Sequence, residues 1–312
     1  MQDVAGRFRE PVPAMAPRAV IYDCDPGKDD AFALWLALAC PDALDVLAVT
    51  TVAGNVPLAA TSANARRIVE AAGRPDIPVH AGCARPLLRK LVTAEATHGS
   101  DGLGGSGLPP PAQPPRETHA IAALIELLDR ADEPLTLAAI GPLTNIALLL
   151  VARPDLAAKI ARLVVMGGSE TQGNVTDHAE FNVYVDPHAA QIVFTTGLPT
   201  TLVTLDVTRD LRPALPWFET MKGFGVPGRA LLDMWRARPV ALYDVVVTGL
   251  LLWPELFDTA SCDVSVETVD ESRIGMTRIV RGPGPASVVT AIDTDTFYAH
   301  ILAAMAHLNT TL

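Results

Sequence analysis

The sequence lacks paired cysteines, long apolar runs and an excess of basic charge. Its four cysteines are scattered over 312 residues without a CxxC pair, so we expect neither a disulfide framework nor a zinc knuckle, and a reducing cytoplasm fits the chain. No uncharged apolar stretch reaches the length of about 20 residues that a membrane span requires. The formal net charge of -11 argues against nucleic acid and anionic membranes as partners.

The first eighteen residues differ from the rest of the chain. Residues 1–18 combine charged residues and prolines and contain no apolar segment of signal-peptide length. We expect them to form a flexible N-terminal segment. The whole chain is 49% hydrophobic, which is enough for a sizeable core. Because no long linker or internal repeat interrupts residues 19–312, we predict that they form a single domain.

Short apolar, β-branched runs alternate with longer helical patterns through the first two thirds of the chain. Strands are predicted at 19–24, 44–52, 77–81, 135–140, 163–166 and 200–205. Helices are predicted at 31–40, 58–72, 120–130, 143–151 and 187–196. This alternation indicates an α/β, Rossmann-like fold with a mainly parallel sheet and helices on both faces.

The last third of the chain has a different pattern. An apolar helical stretch covers residues 240–253, and a last helix is predicted at 296–307. Between them, short strands are predicted at 262–269, 276–281 and 287–292. Since these strands follow one another closely, we expect a small C-terminal antiparallel extension of the sheet.

One long segment, residues 93–118, is dense in glycine and proline. That density forbids regular structure and predicts a long loop, either a lid or binding loop or a disordered surface segment. Residues 102–107 match GxGxxG, but a dinucleotide site needs this motif between a strand and a helix. Here prolines follow it, so we interpret the glycines as part of the loop.

Four aspartates fall within eight residues, at Asp23, Asp25, Asp29 and Asp30. They lie between a predicted strand and a predicted helix, which places them at the carboxyl edge of the sheet. Carboxylates packed this tightly repel one another unless a cation, strong hydrogen bonds or protonation offsets the repulsion. The run therefore predicts a site for a hard cation.

The aspartate run has other interpretations. An EF-hand loop is excluded, because its twelfth position requires a bidentate Glu and is Leu34 here. A phosphatase-type nucleophile at Asp23 or Asp25 stays open. So does capping of the following helix by Asp29 or Asp30, although a cap does not need four carboxylates.

Polar side chains also follow other predicted strands. Asn55 follows the second strand, and Asn174, Glu180 and Asn182 follow the strand that ends at Met166. Amide and carboxylate groups both suit a polyhydroxylated ligand, because each sugar hydroxyl donates and accepts hydrogen bonds. A polar surface loop would explain the same residues.

Asp244 is a lone acid in the apolar stretch 240–253. Burial of such a group is costly unless it is paired. A salt bridge with Arg236 or Arg238 is one explanation. Completion of the cation site from a distant part of the chain is the other.

Together these motifs resemble the inosine–uridine-type nucleoside hydrolase family, whose members cleave the N-glycosidic bond of ribonucleosides. The resemblance covers nearly the whole chain after residue 18. It is carried by DCDPGKDD at 23–30, TTVAGN at 50–55, His98-Gly99 with Asp101-Gly102-Leu103, GPLTN at 141–145, Met166-Gly167-Gly168, Asn174, AEFN at 179–182 and Asp244.

The resemblance implies a Ca2+-dependent enzyme that releases ribose and free base, and a homo-oligomer, either a dimer or a tetramer. The implied Ca2+ ligands are Asp25, Asp30, Asp244 and the main-chain carbonyl of Ile140, with Asp25 also acting as the general base. The implied substrate-binding residues are Asp29, Asn55, Met166, Asn174, Glu180, Phe181, Asn182 and Asp244.

The sequence departs from the family pattern at the leaving base. Many members carry His immediately before the C-terminal metal-binding Asp, as the acid for the base, whereas this chain has Tyr243. The candidate proton donors are therefore Tyr243 and His98, the latter on the predicted loop. Asp23 has no ligand role by resemblance, and we expect it to support the site from behind.

Two further hypotheses stay open at this point. A non-catalytic ribose- or nucleoside-binding member of the family would keep the sugar pocket and lose the acid for the leaving base. A Mg2+-dependent phosphatase would use only the first two aspartates of the run. The sequence leaves the preferred base open.

Overall fold

A computed structural model of the chain describes residues 16–309. The predictions made for residues 1–15 and for residues 310–312 lie outside the described residues. Arg18, which we expected to belong to the flexible segment, is instead the first residue of the first strand. No helix in this described range is long and apolar enough to cross a membrane.

The described residues form a sheet of nine strands in the order β3-β2-β1-β4-β5-β6-β9-β7-β8. The strands are β1 Arg18–Cys24, β2 Leu44–Thr51, β3 Val79–Ala81, β4 Leu135–Ala139, β5 Ile160–Met166, β6 Thr200–Val203, β7 Phe257–Val266, β8 Thr277–Arg281 and β9 Ala286–Ile292. Neighbours from β3 to β9 pair in parallel. Because β7 pairs antiparallel with both β9 and β8, the mainly parallel α/β fold with C-terminal antiparallel strands is confirmed.

Helices cover both faces of the sheet, as predicted. They are α1 Lys28–Leu38, α2 Leu58–Ala71, α3 Glu95–His98, α4 Ala120–Arg130, α5 Thr144–Ala152, α6 Phe181–Val185, α7 Pro187–Phe194, α8 Leu205–Thr208, α9 Leu215–Glu219, α10 Gly225–Ala237, α11 Val245–Leu252 and α12 Thr294–Met305. One hydrophobic cluster packs α1, α2, α10, α11 and α12 against the sheet. A second cluster packs α4, α5 and α7 against the opposite face.

Helices α6, α8, α9 and α10 were not predicted from the sequence. Three other elements differ from the sequence prediction. The predicted loop at 93–118 contains a short helix, α3. Strand β9 is not confined to an antiparallel extension, because it also pairs in parallel with β6 and so joins the main sheet. The helix expected over 240–253 begins only at Val245, with Asp244 at its N-cap. In each case contacts with distant segments, which a local pattern cannot reveal, decide the outcome.

Helix α11 is held against β1 and α1 by polar and apolar contacts. The Thr248 hydroxyl donates to the Ala33 carbonyl (3.1 Å) and lies 2.9 Å from the Tyr22 hydroxyl. Gly249 lies so close to the Phe297 ring of α12 that a Cβ would clash with it. These contacts fix the start of α11, and therefore the position of Asp244.

We predict that Gly249→Ala destabilises the fold although alanine is the better helix former. Overpacking against the Phe297 ring should cost about 1–3 kcal/mol, more than the helix propensity gained. Gly223→Ala is the matched control, because a Cβ there meets no atom within 4 Å. Chemical denaturation measures both free energies of unfolding. Equal stability of the two variants would contradict the predicted packing.

Candidate active site

The carboxyl ends of four parallel strands meet at one edge of the sheet. Asp25 follows β1, Asn55 follows β2, Ile140 follows β4, and Met166 ends β5. Asp244 reaches the same place from the start of α11. The convergence is a consequence of parallel topology, because equivalent ends of parallel strands lie side by side.

Asp30 connects the aspartate run to the start of α1. Its carboxylate accepts hydrogen bonds from the backbone N–H of Gly27 (2.8 Å) and Asp25 (3.2 Å) and from the Asn55 amide (3.1 Å). Gly27 is the N-cap of the helix and Asp30 is the third residue of its first turn. Asp30 therefore caps the helix and also faces the acidic cluster, so the capping hypothesis and the cation hypothesis apply to the same residue.

Asp25 is fully buried and tightly enclosed. Its Oδ2 accepts the backbone N–H of Asn55 at 2.6 Å, while Oδ1 has no hydrogen-bond partner among residues 16–309. Gly54 and Gly141 border the carboxylate, and a Cβ on Gly141 would lie 2.7 Å from Oδ1. The two glycines leave just enough space for this side chain, so its position has little freedom.

A group of carboxylates in the site is suited to a cation. Oxygen atoms of Asp29, Asp30 and Asp244 all lie within 4.8 Å of one another, and the three residues are buried. Asp25 lies outside this group of three, so its role as a ligand stays a prediction. Asp29, which we expected to face ribose, belongs to the group.

Burial and mutual repulsion raise the pKa of these carboxyl groups. Burial, followed by the charge of neighbouring carboxylates, raises the pKa of Asp25, Asp29 and Asp244 well above the usual range. Burial raises the pKa of Asp30 to about 6, less than its neighbours, because backbone N–H groups stabilise its ionised form. Oδ1 of Asp29, like Oδ1 of Asp25, has no hydrogen-bond partner in the described chain. These orphaned oxygens and the crowding fit a hard divalent cation that takes oxygen ligands.

No arginine neutralises Asp244 in the described structure. Arg236 instead pairs with Glu219 at 3.2 Å, and the Arg238 guanidinium donates to the Ala96 carbonyl. The salt-bridge explanation for Asp244 is therefore wrong, and the structure places it with the acidic cluster.

Asn182 and Glu180 form a second polar group at the end of β5. The Asn182 amide donates to the carbonyl oxygens of Ile140 (3.1 Å) and Met166 (3.2 Å). The Glu180 carboxylate caps α6 and accepts backbone N–H groups of Asn182, Val183 and Gly168. Burial raises the Glu180 pKa to about 7 against the effect of these three donors. The Ile140 carbonyl faces the site, and its role as a ligand stays a prediction.

A cavity of about 520 Å³ opens above these groups. Most of the predicted site residues line it, namely Asp29, Asn55, His98, Ile140, Met166, Asn174, Glu180, Phe181, Asn182, Tyr243 and Asp244. Asp25 and Asp30 are fully buried beside these lining residues. The lining also includes Arg212, which was missed because it stands in no recognisable motif, and Arg238, which the sequence suggested only as a salt-bridge partner of Asp244.

Asp23 faces away from the cluster. Its Oδ1 accepts hydrogen bonds from the Thr50 hydroxyl (2.5 Å) and the Asn145 amide (2.8 Å). Asn145 also donates to the Thr51 carbonyl at 3.1 Å. Asp23 therefore ties β1, β2 and α5 together behind the site, which matches the supporting position that we expected.

Comparison with known proteins identifies the family. The family model described as inosine-uridine preferring nucleoside hydrolase matches residues 20–299. The chain belongs to the inosine-uridine preferring nucleoside hydrolase family. Members of this class are N-glycosidases, and the chain is an enzyme of that class.

Relatives and solved structures agree with this assignment. The protein named pyrimidine-specific ribonucleoside hydrolase RihA of Photobacterium profundum is 44% identical over 277 residues, covering 85% of this chain and 89% of the relative. RihA of Escherichia coli O127:H6 is 41% identical, covering 83% and 87%. The plant nucleoside hydrolase PpNRh1 superposes with a TM-score of 0.85 at 31% identity, covering 93% and 99%. An inosine-guanosine nucleoside hydrolase superposes with a TM-score of 0.82 at 29% identity, covering 94% and 98%.

In this nucleoside hydrolase, His98 lies within the segment 93–118 that we predicted to be a loop, but it does not lie on irregular chain. It belongs to α3 and is buried, and its Nδ1 accepts the backbone N–H of Lys28 at 3.1 Å. Burial, with the nearby charges of Lys28 and Arg238, lowers the His98 pKa to about 3. Burial therefore favours a neutral imidazole, and Nδ1 also lies 3.8 Å from Oδ1 of Asp29. The role of His98 as a proton donor stays a prediction.

Tyr243 is half-buried in the cavity wall. Its hydroxyl lies 3.5 Å from Nη2 of Arg212. Burial raises the Tyr243 pKa, and the charge of Arg212 partly opposes that effect. The phenol therefore stays protonated at neutral pH and can donate a hydrogen bond.

We predict that stability falls with rising pH when divalent cations are removed by EDTA. The pKa of Glu180 changes from 4.5 to about 7 on folding, and that of Asp30 changes from 3.8 to about 6. Because the folded state binds these protons more tightly, the contribution of Glu180 and Asp30 to stability is greatest at low pH and is lost as pH rises between about 4 and 7. The lowered pKa of His98 opposes part of this trend.

Thermal unfolding across this pH range in EDTA tests the prediction. The unfolding midpoint should fall by several degrees from pH 4.5 to pH 7.5. The same scan with added CaCl2 should be flatter, because a bound cation favours the ionised carboxylates. A midpoint in EDTA that rises across this range would show that the raised pKa values of the buried carboxyl groups do not dominate the pH dependence of stability.

Proposed function

We propose that the protein is a Ca2+-dependent ribonucleoside hydrolase that yields ribose and free base. The observation that carries the proposal is the buried group of Asp29, Asp30 and Asp244 at the wall of a cavity lined with amide and carboxylate groups. Family membership supports the reaction class. The oxygen donors of the buried carboxylates support a hard cation, and Ca2+, which takes 6–8 oxygens, is the cation that the family resemblance implies.

Asp30 and Asp244, with Asp25 and the Ile140 carbonyl, would hold the cation. When bound, Ca2+ supplies a Lewis acid that lowers the pKa of the attacking water and orients the ribose diol. Asp25 is well placed to accept the proton of the water. Its Oδ2 is fixed by Asn55 and its Oδ1 has no other partner among the described residues.

The acidic end of the cavity suits the transition state of glycoside cleavage. Positive charge develops on C1′ and the ring oxygen as the bond to the base breaks. Asp29 and Glu180 line the cavity, and their carboxylates stabilise such a charge, while Asn55 and Asn182 supply hydrogen bonds to the sugar. Binding of the ribose hydroxyls far from the scissile bond adds to transition-state stabilisation.

The relatives guide the choice of substrates. Those named pyrimidine-specific are 40% to 44% identical to this chain, so uridine and cytidine are the first substrates to assay. The solved inosine-guanosine enzyme shares 29% identity, which makes inosine and guanosine the second pair. The homo-oligomer stays a prediction.

A reducing-sugar assay over purine and pyrimidine ribonucleosides tests the proposal. We expect ribose release that EDTA abolishes and CaCl2 restores. Activity on 2′-deoxyuridine should be lower than on uridine by about 10²-fold or more, since buried polar groups would lose their ribose partner. Comparable kcat/KM values on the two substrates would exclude recognition of the diol. Ribonucleoside binding without any ribose release would indicate a binding protein.

We predict that Asp25→Asn lowers kcat by roughly 10²–10⁴-fold, the usual contribution of a general base. The amide is nearly the same size as the carboxylate, so the fold should persist, which circular dichroism can verify. Asp206→Asn is a suitable control, because Asp206 binds backbone N–H groups of Glu170 and Thr171 away from the cavity. A kcat for Asp25→Asn within threefold of the control would remove Asp25 as the base.

A further inference from the structure

Basic side chains also line the cavity. Arg212, Arg238 and Tyr243 belong to its wall, together with Val240 and Ala241. Arg212 was not anticipated from the sequence, and Arg238 was considered only as a salt-bridge partner of Asp244. The proposed ribose chemistry uses neither arginine. A nucleoside bound with its ribose against the carboxylates has its base in the remaining part of the cavity, where these side chains lie.

The two arginines differ in their contacts. The Arg238 guanidinium donates to the Ala96 carbonyl, which connects α3 to the segment before α11. The Arg212 guanidinium donates through Nε to the Arg209 carbonyl (3.0 Å) and through Nη2 to the Tyr243 hydroxyl (3.5 Å). Nη1 of Arg212 has no hydrogen bond to another residue in the described range. Arg212 is therefore oriented by two contacts and still has donors for a ligand.

In the proposed reaction, cleavage creates negative charge on the leaving base. The C1′–N bond breaks, and both of its electrons stay on the base nitrogen. A water oxygen bonds to C1′, and its proton passes to Asp25. The base leaves as an anion whose charge extends onto any carbonyl oxygen conjugated with that nitrogen, and it later takes a proton from solvent.

We propose that Arg212 stabilises the leaving base by donating hydrogen bonds to such a carbonyl oxygen as the negative charge forms. This inference rests on the proposed function. An oriented guanidinium suits the task, because it stays charged at every relevant pH and its N–H groups diverge from a fixed plane. The preferred substrates are then nucleosides with a conjugated carbonyl, such as uridine, and adenosine is disfavoured.

The same geometry gives Tyr243 a different role from that of a proton donor. Its hydroxyl contacts the Arg212 guanidinium, so it is a positioning residue that limits the movement of a long side chain. Tyr243→Phe removes this contact and keeps the charge. The expected cost is therefore smaller than the cost of removing Arg212.

The test compares two substrates in the full-length protein. Uridine has a poor leaving group, whereas 4-nitrophenyl β-D-ribofuranoside releases a stable anion that needs little assistance. Arg212→Met should lower kcat/KM on uridine by about 10²-fold, near the lower limit for loss of one oxyanion donor because Arg212 is exposed. The factor by which Arg212→Met lowers kcat/KM on the nitrophenyl riboside should be about tenfold smaller. The kcat/KM of Arg212→Lys on uridine should lie between that of Arg212→Met and that of the unchanged protein.

Arg209→Met is the matched control. Arg209 is a nearby, partly exposed arginine whose guanidinium contacts Gln172, and its variant should behave as the unchanged protein on both substrates. The proposal is overturned if Arg212→Met loses both activities equally, or if it retains full uridine activity. It is also overturned if Tyr243→Phe or Arg238→Met lowers kcat/KM on uridine more than Arg212→Met does, while leaving kcat/KM on the nitrophenyl riboside unchanged. Absence of both activities in the unchanged protein would instead contradict the proposed function.

Discussion

The crowding of buried carboxylates is the constraint on which the rest of the site depends. Asp25, Asp29, Asp30 and Asp244 lie in a volume where their charges oppose one another and burial penalises each of them. The fold tolerates this because backbone N–H groups at the start of α1 stabilise Asp30, and a divalent cation can neutralise the remainder. The glycines around Asp25 and the packing of α11 keep these groups in position.

The cavity wall carries both acidic and basic side chains, and the proposed reaction develops charge of both signs. In the proposed mechanism the carboxylates stabilise the sugar, which becomes cationic, while Arg212, in contact with Tyr243, stabilises the base, which becomes anionic. A preorganised environment of this kind stabilises both partners of a breaking bond without reorganisation. The family histidine that is replaced by Tyr243 is then not needed as an acid, because charge stabilisation and protonation are alternative ways to assist a leaving group.

Much of the fold and of the candidate site could be predicted from the sequence, but the success of the prediction differs from residue to residue. The strand and helix periodicity predicted the parallel sheet, and the aspartate run after β1 predicted an acidic site at its edge. His98 was misjudged, because a glycine-rich neighbourhood indicates a loop and contains no information about the segment that buries it. Arg212 was missed altogether, since it belongs to no motif and reaches the cavity only through the fold around α8 and α11.

The sequence by itself determined the chemistry of the sugar end. Asp25, Asp29 and Asp30, between an apolar strand and an apolar helix, are kept close to one another by chain connectivity, whereas Asp23 of the same run faces away from the cluster. The tertiary structure decided everything that depends on distant segments meeting. It placed Asp244 beside Asp30, made His98 neutral through burial, and brought Arg212 to Tyr243. These outcomes depend on which surfaces pack together. All the contacts of the folded chain together determine that packing, so a local sequence pattern does not reveal it.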